Sequence, residues 1–184
     1  MRSSASVSGR KHKMNIRIAT SIKYGNYKEE LTRSNELSGR ITKNWERLVD
    51  HVGLDDMMTN NLEILIRPIK GDVNGRYFHE GIHTGVEQGS SRIEVDPRYH
   101  SMRQLLGIIA HELQHCKQYY TGKLEHNWND TKQKWESYWE GSKARQGTTY
   151  KLYRQRPWEI EARKVQKSFE ERIAPVRTLK NIKV

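Results

Sequence analysis

The chain has 184 residues, enough for one compact domain with a real core and short for two. Hydrophobic residues make up 34% and charged residues 30%, a composition unlike that of a fully disordered chain and one that places a modest core beneath a heavily charged surface. The formal net charge of +11 favours encounter with polyanions such as nucleic acid, while the single cysteine, Cys116, excludes an intramolecular disulfide and a multi-cysteine metal site.

Residues 1–13 are rich in Ser, Arg and Lys, lack apolar periodicity and lack the apolar centre of a secretory signal. They predict a flexible basic arm ahead of a single domain over 14–175, with a short tail at 176–184. Leu105 to Ala110 is the longest uninterrupted apolar run and is far too short to cross a bilayer, so the expected location is cytoplasmic, with no membrane partner. From Ser34 to Val52, Leu37, Ile41, Trp45, Leu48, Val49 and Val52 recur at three- and four-residue steps, which predicts an amphipathic helix capped by Ser34 and ended by Gly53. Leu62, Ile64 and Ile66 alternate before Pro68 and predict a strand. Further strands are expected around Ile82 to Glu87 and Arg92 to Asp96, joined as a hairpin through residues 88–91.

After Asp96-Pro97, the spacing of Leu105, Ile109, Leu113, Cys116 and Tyr120 predicts a helix over 101–120. Trp135, Tyr138 and Trp139 suggest another helix, with breaks at Gly141 and Gly147. A last helix is expected to begin at Pro157 and stop before Pro175, with Trp158, Ala162, Val165, Phe169 and Ile173 as its apolar stripe. The expected class is α+β, with a small, mainly antiparallel sheet packed against the 101–120 helix and further helices.

That central helix carries His111-Glu112-Leu113-Gln114-His115. Residues four apart lie on one helical face a turn apart, so two imidazoles at this spacing can converge on one ion, with the adjacent Glu112 free to accept a proton. A second formal match, His79-Glu80-Gly81-Ile82-His83, lies among strand and turn signals. On a strand, residues four apart are separated by roughly 13 Å, too far for two imidazoles to share an ion at about 2 Å each. His79 and His83 are therefore read as strand or loop histidines.

At these residues the chain resembles the zincin metallopeptidases, in which an edge strand, here Ser91 to Asp96, precedes a helix bearing HExxH, here Leu105 to His115. It looks most like the small intracellular ImmA/IrrE-like and SprT-like members of bacteria and their phages. The resemblance implies a zinc-dependent hydrolase acting on peptide bonds, with Zn2+ held by His111, His115 and a third ligand, and Glu112 as general base. Thr121 stands where metzincins place a third His. An SprT-like pattern offers only His126, whereas the gluzincin-like pattern fits Arg156-Pro157-Trp158-Glu159-Ile160-Glu161-Ala162-Arg163. Helical geometry does not choose between Glu159 and Glu161; the family pattern points to Glu159, with Glu161 as the alternative. Arg163 departs from the acidic residue that gluzincins often carry four after the ligand.

The same reading expects a protein or peptide substrate paired along the strand at Arg92 to Asp96, and an oxyanion donor among Tyr150, Tyr153 and His126. Two other functions suit the sequence. One is a basic nucleic-acid-associated module, or a DNA-associated protease, using the arm and the aromatic-basic stretch from Trp128 to Trp158. The other is a phage-associated factor acting on one host protein.

Overall fold

The structure is a computed structural model, and it describes residues 15–18, 27–60, 62–70, 74–79, 91–98, 100–144 and 149–173. The basic arm, the C-terminal tail, the strand expected at Ile82 to Glu87 and its hairpin loop at 88–90 lie outside the described residues. The architecture is mixed α and β. In chain order the elements are β1 (Asn15–Ile18), α1 (Tyr27–Val52), α2 (Asp56–Thr59), β2 (Leu62–Ile66), β3 (Gly75–His79), β4 (Ser91–Val95), α3 (Met102–Tyr120), β5 (Leu124–Asn129), β6 (Lys134–Trp139), β7 (Ser142–Lys143), α4 (Tyr150–Arg154) and α5 (Pro157–Arg172). Among them no helix is long and apolar enough to cross a membrane.

One sheet has the order β1-β2-β4-β3 and the other β5-β6-β7. The second is wholly antiparallel, but in the first β1, β2 and β4 run parallel and only β3 is antiparallel, paired to β4 from Gly75↔Val95 to His79↔Ser91. The first sheet therefore corrects the expectation of a mainly antiparallel one. Ile64, Ile66, Ile93 and Val95 are fully buried, as parallel strands covered by helices require. The strand at Arg92 to Asp96 was expected to offer its edge to substrate. It is interior, flanked by β2 and β3, and β3 is the outermost strand on that side among the described residues.

Helix α3 is the centre of the molecule. Leu105, Ile109, Ala110 and Leu113 are completely buried, packed with Leu37, Ile41 and Leu48 of α1 and Phe169 of α5. Burial of a Leu or Ile side chain contributes about 1.5 to 3 kcal/mol, so this stripe fixes the helix firmly in rotation. Its start is set by a capping box, with Ser101 Oγ accepting from Gln104 N–H and the Gln104 side chain accepting from Ser101 N–H. Upstream, the Asp96 carboxylate accepts from Ile69 N–H at 2.8 Å and from the Arg98 guanidinium at 2.7 Å, which pins the turn leading from β4 into the helix.

Helix α1 starts at Tyr27, seven residues before the expected cap. Ser34 is inside the helix and 1% exposed, so it is no cap. Tertiary contact accounts for the added turns, because the Arg33 guanidinium donates to the carbonyls of Pro97 and His100. Gly53 ends α1 as expected, at φ +72°, a conformation that glycine adopts without steric cost.

The helix expected around Trp135 to Trp139 is strand β6 instead. Its residues alternate with period two: Trp135 faces Trp128 and Trp139 faces Leu124 across the β5–β6 ladder. On the opposite face Glu136 is buried between Lys132 at 3.3 Å and Lys143 at 2.6 Å. Glu140 and Gly141, at φ +48° and +75°, form the two-residue turn into β7, so Gly141 marks a hairpin rather than a helix break.

Candidate metal centre

Nε2 of His111 and Nε2 of His115 approach to 3.2 Å. Oε2 of Glu159 lies 3.5 Å from the first nitrogen and Oε1 lies 3.4 Å from the second. Four ligands at about 2.0 to 2.1 Å around a tetrahedral ion stand roughly 3.3 to 3.4 Å from one another, close to the spacing between the two imidazole nitrogens and from each of them to one carboxylate oxygen. Among the described residues they form a group able to hold a metal ion, and His115 and Glu159 are buried. Two imidazole nitrogens and a carboxylate are a donor set that suits a divalent cation.

Two helices bring them together. The i, i+4 spacing aligns the histidines on α3, while Pro157 at the start of α5 sets Glu159 in that helix's first turn. Ala162, fully buried, and Gly107 permit close packing of α5 on α3; a Cβ at Gly107 would meet the Glu170 side chain at 2.3 to 2.8 Å. Burial alone would raise the Glu159 carboxyl, but the facing imidazoles of His111 and His115 and the Tyr153 hydroxyl hold it well below the usual carboxylate range. Arg163, the departure from the family pattern, reaches Glu159 Oε2 at 4.0 Å and donates to the Arg154 carbonyl, tying α4 to the site.

Glu161 is not one of the three. Its carboxylate accepts from Gln114 Nε2 at 3.1 Å, Gln118 Nε2 at 2.7 Å and Lys123 Nζ at 2.7 Å. The second of these bonds connects it to the histidines. Gln118 Nε2 also donates to the Trp158 carbonyl at 3.1 Å, and both of its partners are acceptors only, which fixes the amide orientation. Gln118 Oε1 then faces His115 Nδ1 at 2.8 Å and must accept from it. A neutral His115 with its proton on Nδ1 has a bare Nε2, so the chain from Lys123 through Glu161 and Gln118 selects the tautomer that presents a lone pair to the cluster. His111 has no such support: its Nδ1 is buried with no hydrogen-bond partner among the described residues.

Glu112 is buried beside the cluster, and burial raises its carboxyl above the ordinary value despite both histidines. The main-chain N–H of Tyr77 on β3 donates to it. Strand and helix touch closely here, since a Cβ at Gly75 would come within 2.5 Å of Ile108 Cγ2 and 2.8 Å of Glu112 Oε1. A cleft of about 420 Å3 opens over these groups, with Gly75 to Phe78 on one side and His126, Tyr153 and Trp158 around the rest.

Tyr153 hydrogen-bonds Glu159, and burial keeps its hydroxyl protonated as a donor. His126 lines the cleft with its ring 5.5 Å from Tyr119, outside the three-residue cluster. Tyr150 is 74% exposed, stacked under Arg154 and absent from the cleft, which corrects its place among the oxyanion donors. His79 lies on β3 with its ring stacked on Tyr119 at 4.9 Å, a packing role; Glu80 and His83 lie outside the described residues.

No protein-family model matches this chain, and neither a curated protein nor a solved structure matches it significantly. Sequence reading missed Gln118, Lys123 and Gly75. Gln118 had a signal, since it stands three residues after His115 on the same helical face. Lys123 and Gly75 had none, because their partners are 38 and 37 residues away in the chain, at Glu161 and Glu112.

Proposed function

We propose that this protein is a zinc-dependent metallopeptidase with a zincin-like, gluzincin-like centre, in which His111, His115 and Glu159 hold the metal and Glu112 is the general base. The observation that carries this reading is the convergence of two imidazole nitrogens, 3.2 Å apart, and a carboxylate whose two oxygens lie 3.5 Å from one nitrogen and 3.4 Å from the other, beside a buried glutamate. His111, His115 and Glu159 would hold a zinc ion there, which would supply Lewis-acid chemistry and activate water for attack.

The chain's own residues do the remaining work. Glu112, aimed by the Tyr77 N–H, accepts a proton in the cleft and delivers it to the leaving amine of the cleaved peptide bond. Gly75 leaves room for the carboxylate beside the strand. The Tyr153 hydroxyl is the donor nearest the cluster for a developing oxyanion, and His126 is a second on the cleft wall. An extended peptide is read as pairing along β3, the outer strand, in place of the interior Arg92 to Asp96 segment. A cytoplasmic protein or peptide substrate belongs to the same reading.

The test is Glu112→Gln assayed on a mixed peptide library with metal content measured in parallel. Hydrolysis should fall by about 10²- to 10⁴-fold while stoichiometric zinc remains. Undiminished hydrolysis by Glu112→Gln, or stoichiometric zinc in folded His111→Ala, would overturn the assignment.

A further inference from the structure

Four arginines from three helices converge at the N-terminal end of α3, away from the metal cluster at its middle. Arg40 and Arg47 of α1, Arg103 of α3 and Arg172 of α5 line a cavity of about 370 Å3. A second cavity of about 210 Å3, lined by Arg47, Phe169, Arg172 and Ile173, shares its wall. No carboxylate lines either cavity among the described residues. Arg40 has a loose surface pair with Glu36 at 3.4 Å, and Arg103 donates to the main-chain carbonyl of Glu170. Arg47 and Arg172 have no acidic partner among the described residues. Guanidiniums gathered without counter-charge repel one another, and an anion in the groove relieves that repulsion.

We propose that this groove binds the phosphodiester backbone of nucleic acid. Each feature narrows the ligand. All four cations are arginines, whose planar forks engage phosphate oxygens in pairs, whereas a merely soluble surface is served equally by lysine. Arg40 and Arg47 are separated by two helical turns, about 10 Å along α1, a spacing that lets each engage a different charge of a polymer that carries one at every step. Of the groove's apolar side chains Leu106 and Phe169 are buried and Met102 and Ile173 half-buried, so it offers no fully exposed wedge for insertion into a lipid surface. A net charge of +11 adds the long-range attraction that such a site uses. The site lies about 12 Å along α3 from His111, judged by helical rise, and its occupation is independent of the metallopeptidase reading.

The experiment measures binding of a fluorescent 20-nucleotide oligo-dT to the full chain by anisotropy across salt. Each phosphate contact with a single strand contributes a slope of about 0.7 in log affinity against log salt. Removing two contacts in Arg47→Gln/Arg172→Gln should lower the slope by about 1.4, so that the loss of affinity between about 50 and 200 mM salt shrinks roughly sevenfold. Lys28→Gln/Lys70→Gln, which removes the same net charge elsewhere, should leave the slope close to that of the unmodified chain. A second measurement needs no variant: oligo-dT should shield Arg47 and Arg172 from phenylglyoxal. The proposal is overturned by equal slopes in the arginine variant and the unmodified chain, by an equal drop in the lysine control, or by Arg47 and Arg172 remaining reactive when the oligonucleotide is bound. It also fails if the unmodified chain ignores the oligonucleotide and uses these arginines on anionic phospholipid vesicles.

Discussion

Replacing Gln118 by Leu tests the support of His115 most directly. Gln118 is fully buried and makes three hydrogen bonds, to His115 Nδ1 at 2.8 Å, the Trp158 carbonyl at 3.1 Å and Glu161 Oε2 at 2.7 Å. Leucine is close in shape but makes none, leaving His115 Nδ1–H buried without a partner, while the Trp158 carbonyl keeps its helical bond within α5. At about 1 to 3 kcal/mol for a stranded group, the expected loss of stability is about 1 to 3 kcal/mol, offset in part by the apolar side chain. The site should suffer separately, because an imidazole freed to rotate or change tautomer no longer offers Nε2 to the metal. Loss of such an orienting bond typically weakens metal affinity 10- to 100-fold. Competition against a chromophoric chelator measures the affinity, and urea denaturation measures the stability. Glu161→Gln is the companion variant: it can still accept from Gln118, so zinc affinity should fall far less than in Gln118→Leu. Unchanged zinc affinity in folded Gln118→Leu would refute the positioning argument, and an equal fall in both variants would show that charge rather than amide orientation matters.

The remaining predictions concern other parts of the molecule. Glu159→Ala should abolish stoichiometric zinc binding, whereas Glu161→Ala should retain the metal with reduced affinity; equal zinc content in the two purified variants would reject this division of roles. Gly75→Ala should reduce peptide hydrolysis and cost about 1 to 3 kcal/mol in urea melts, because its Cβ would displace Ile108 and the Glu112 carboxylate. Glu136 makes a pH prediction: the Lys143 ammonium, with Lys132 and Asn129, outweighs burial and holds its carboxyl down to about 2. Its folded value is below the ordinary value of about 4.3, so its stabilisation is fully present above about pH 4.3 and is lost as pH falls towards 2. Urea midpoints of the unmodified chain and Glu136→Gln should therefore differ at pH 7 and converge near pH 2; a difference that does not change with pH would contradict the depressed carboxyl.

The local half of the candidate centre was legible in the chain. His111 and His115 stand a turn apart on one helix, and the period of Leu105, Ile109 and Leu113 determined which face was buried. Gly53 and Pro157 likewise marked helix ends by their own backbone restrictions. Other local rules were overridden. Ser34 has the chemistry of a cap, but Arg33 bonded to Pro97 and His100 carries the helix past it. The aromatic spacing at Trp135 to Trp139 fits more than one period, and cross-strand partners at Trp128 and Leu124 selected the strand. Pairing order was not readable either: β4 became interior because β3 covers its free side.

The division between Glu159 and Glu161 shows the boundary best. Two carboxylates two residues apart on α5 have nearly equivalent local chemistry, and helix geometry alone leaves both available. Their roles depend on the rotation of α5 against α3, set by Ala162 and by the contact of Glu170 with Gly107, and on Gln114, Gln118 and Lys123 gathered around Glu161. Spacing along one helix is a property of the chain itself, so the sequence by itself determined the histidine pair. Which acid meets that pair is a property of how two helices pack, and only the tertiary structure decided it.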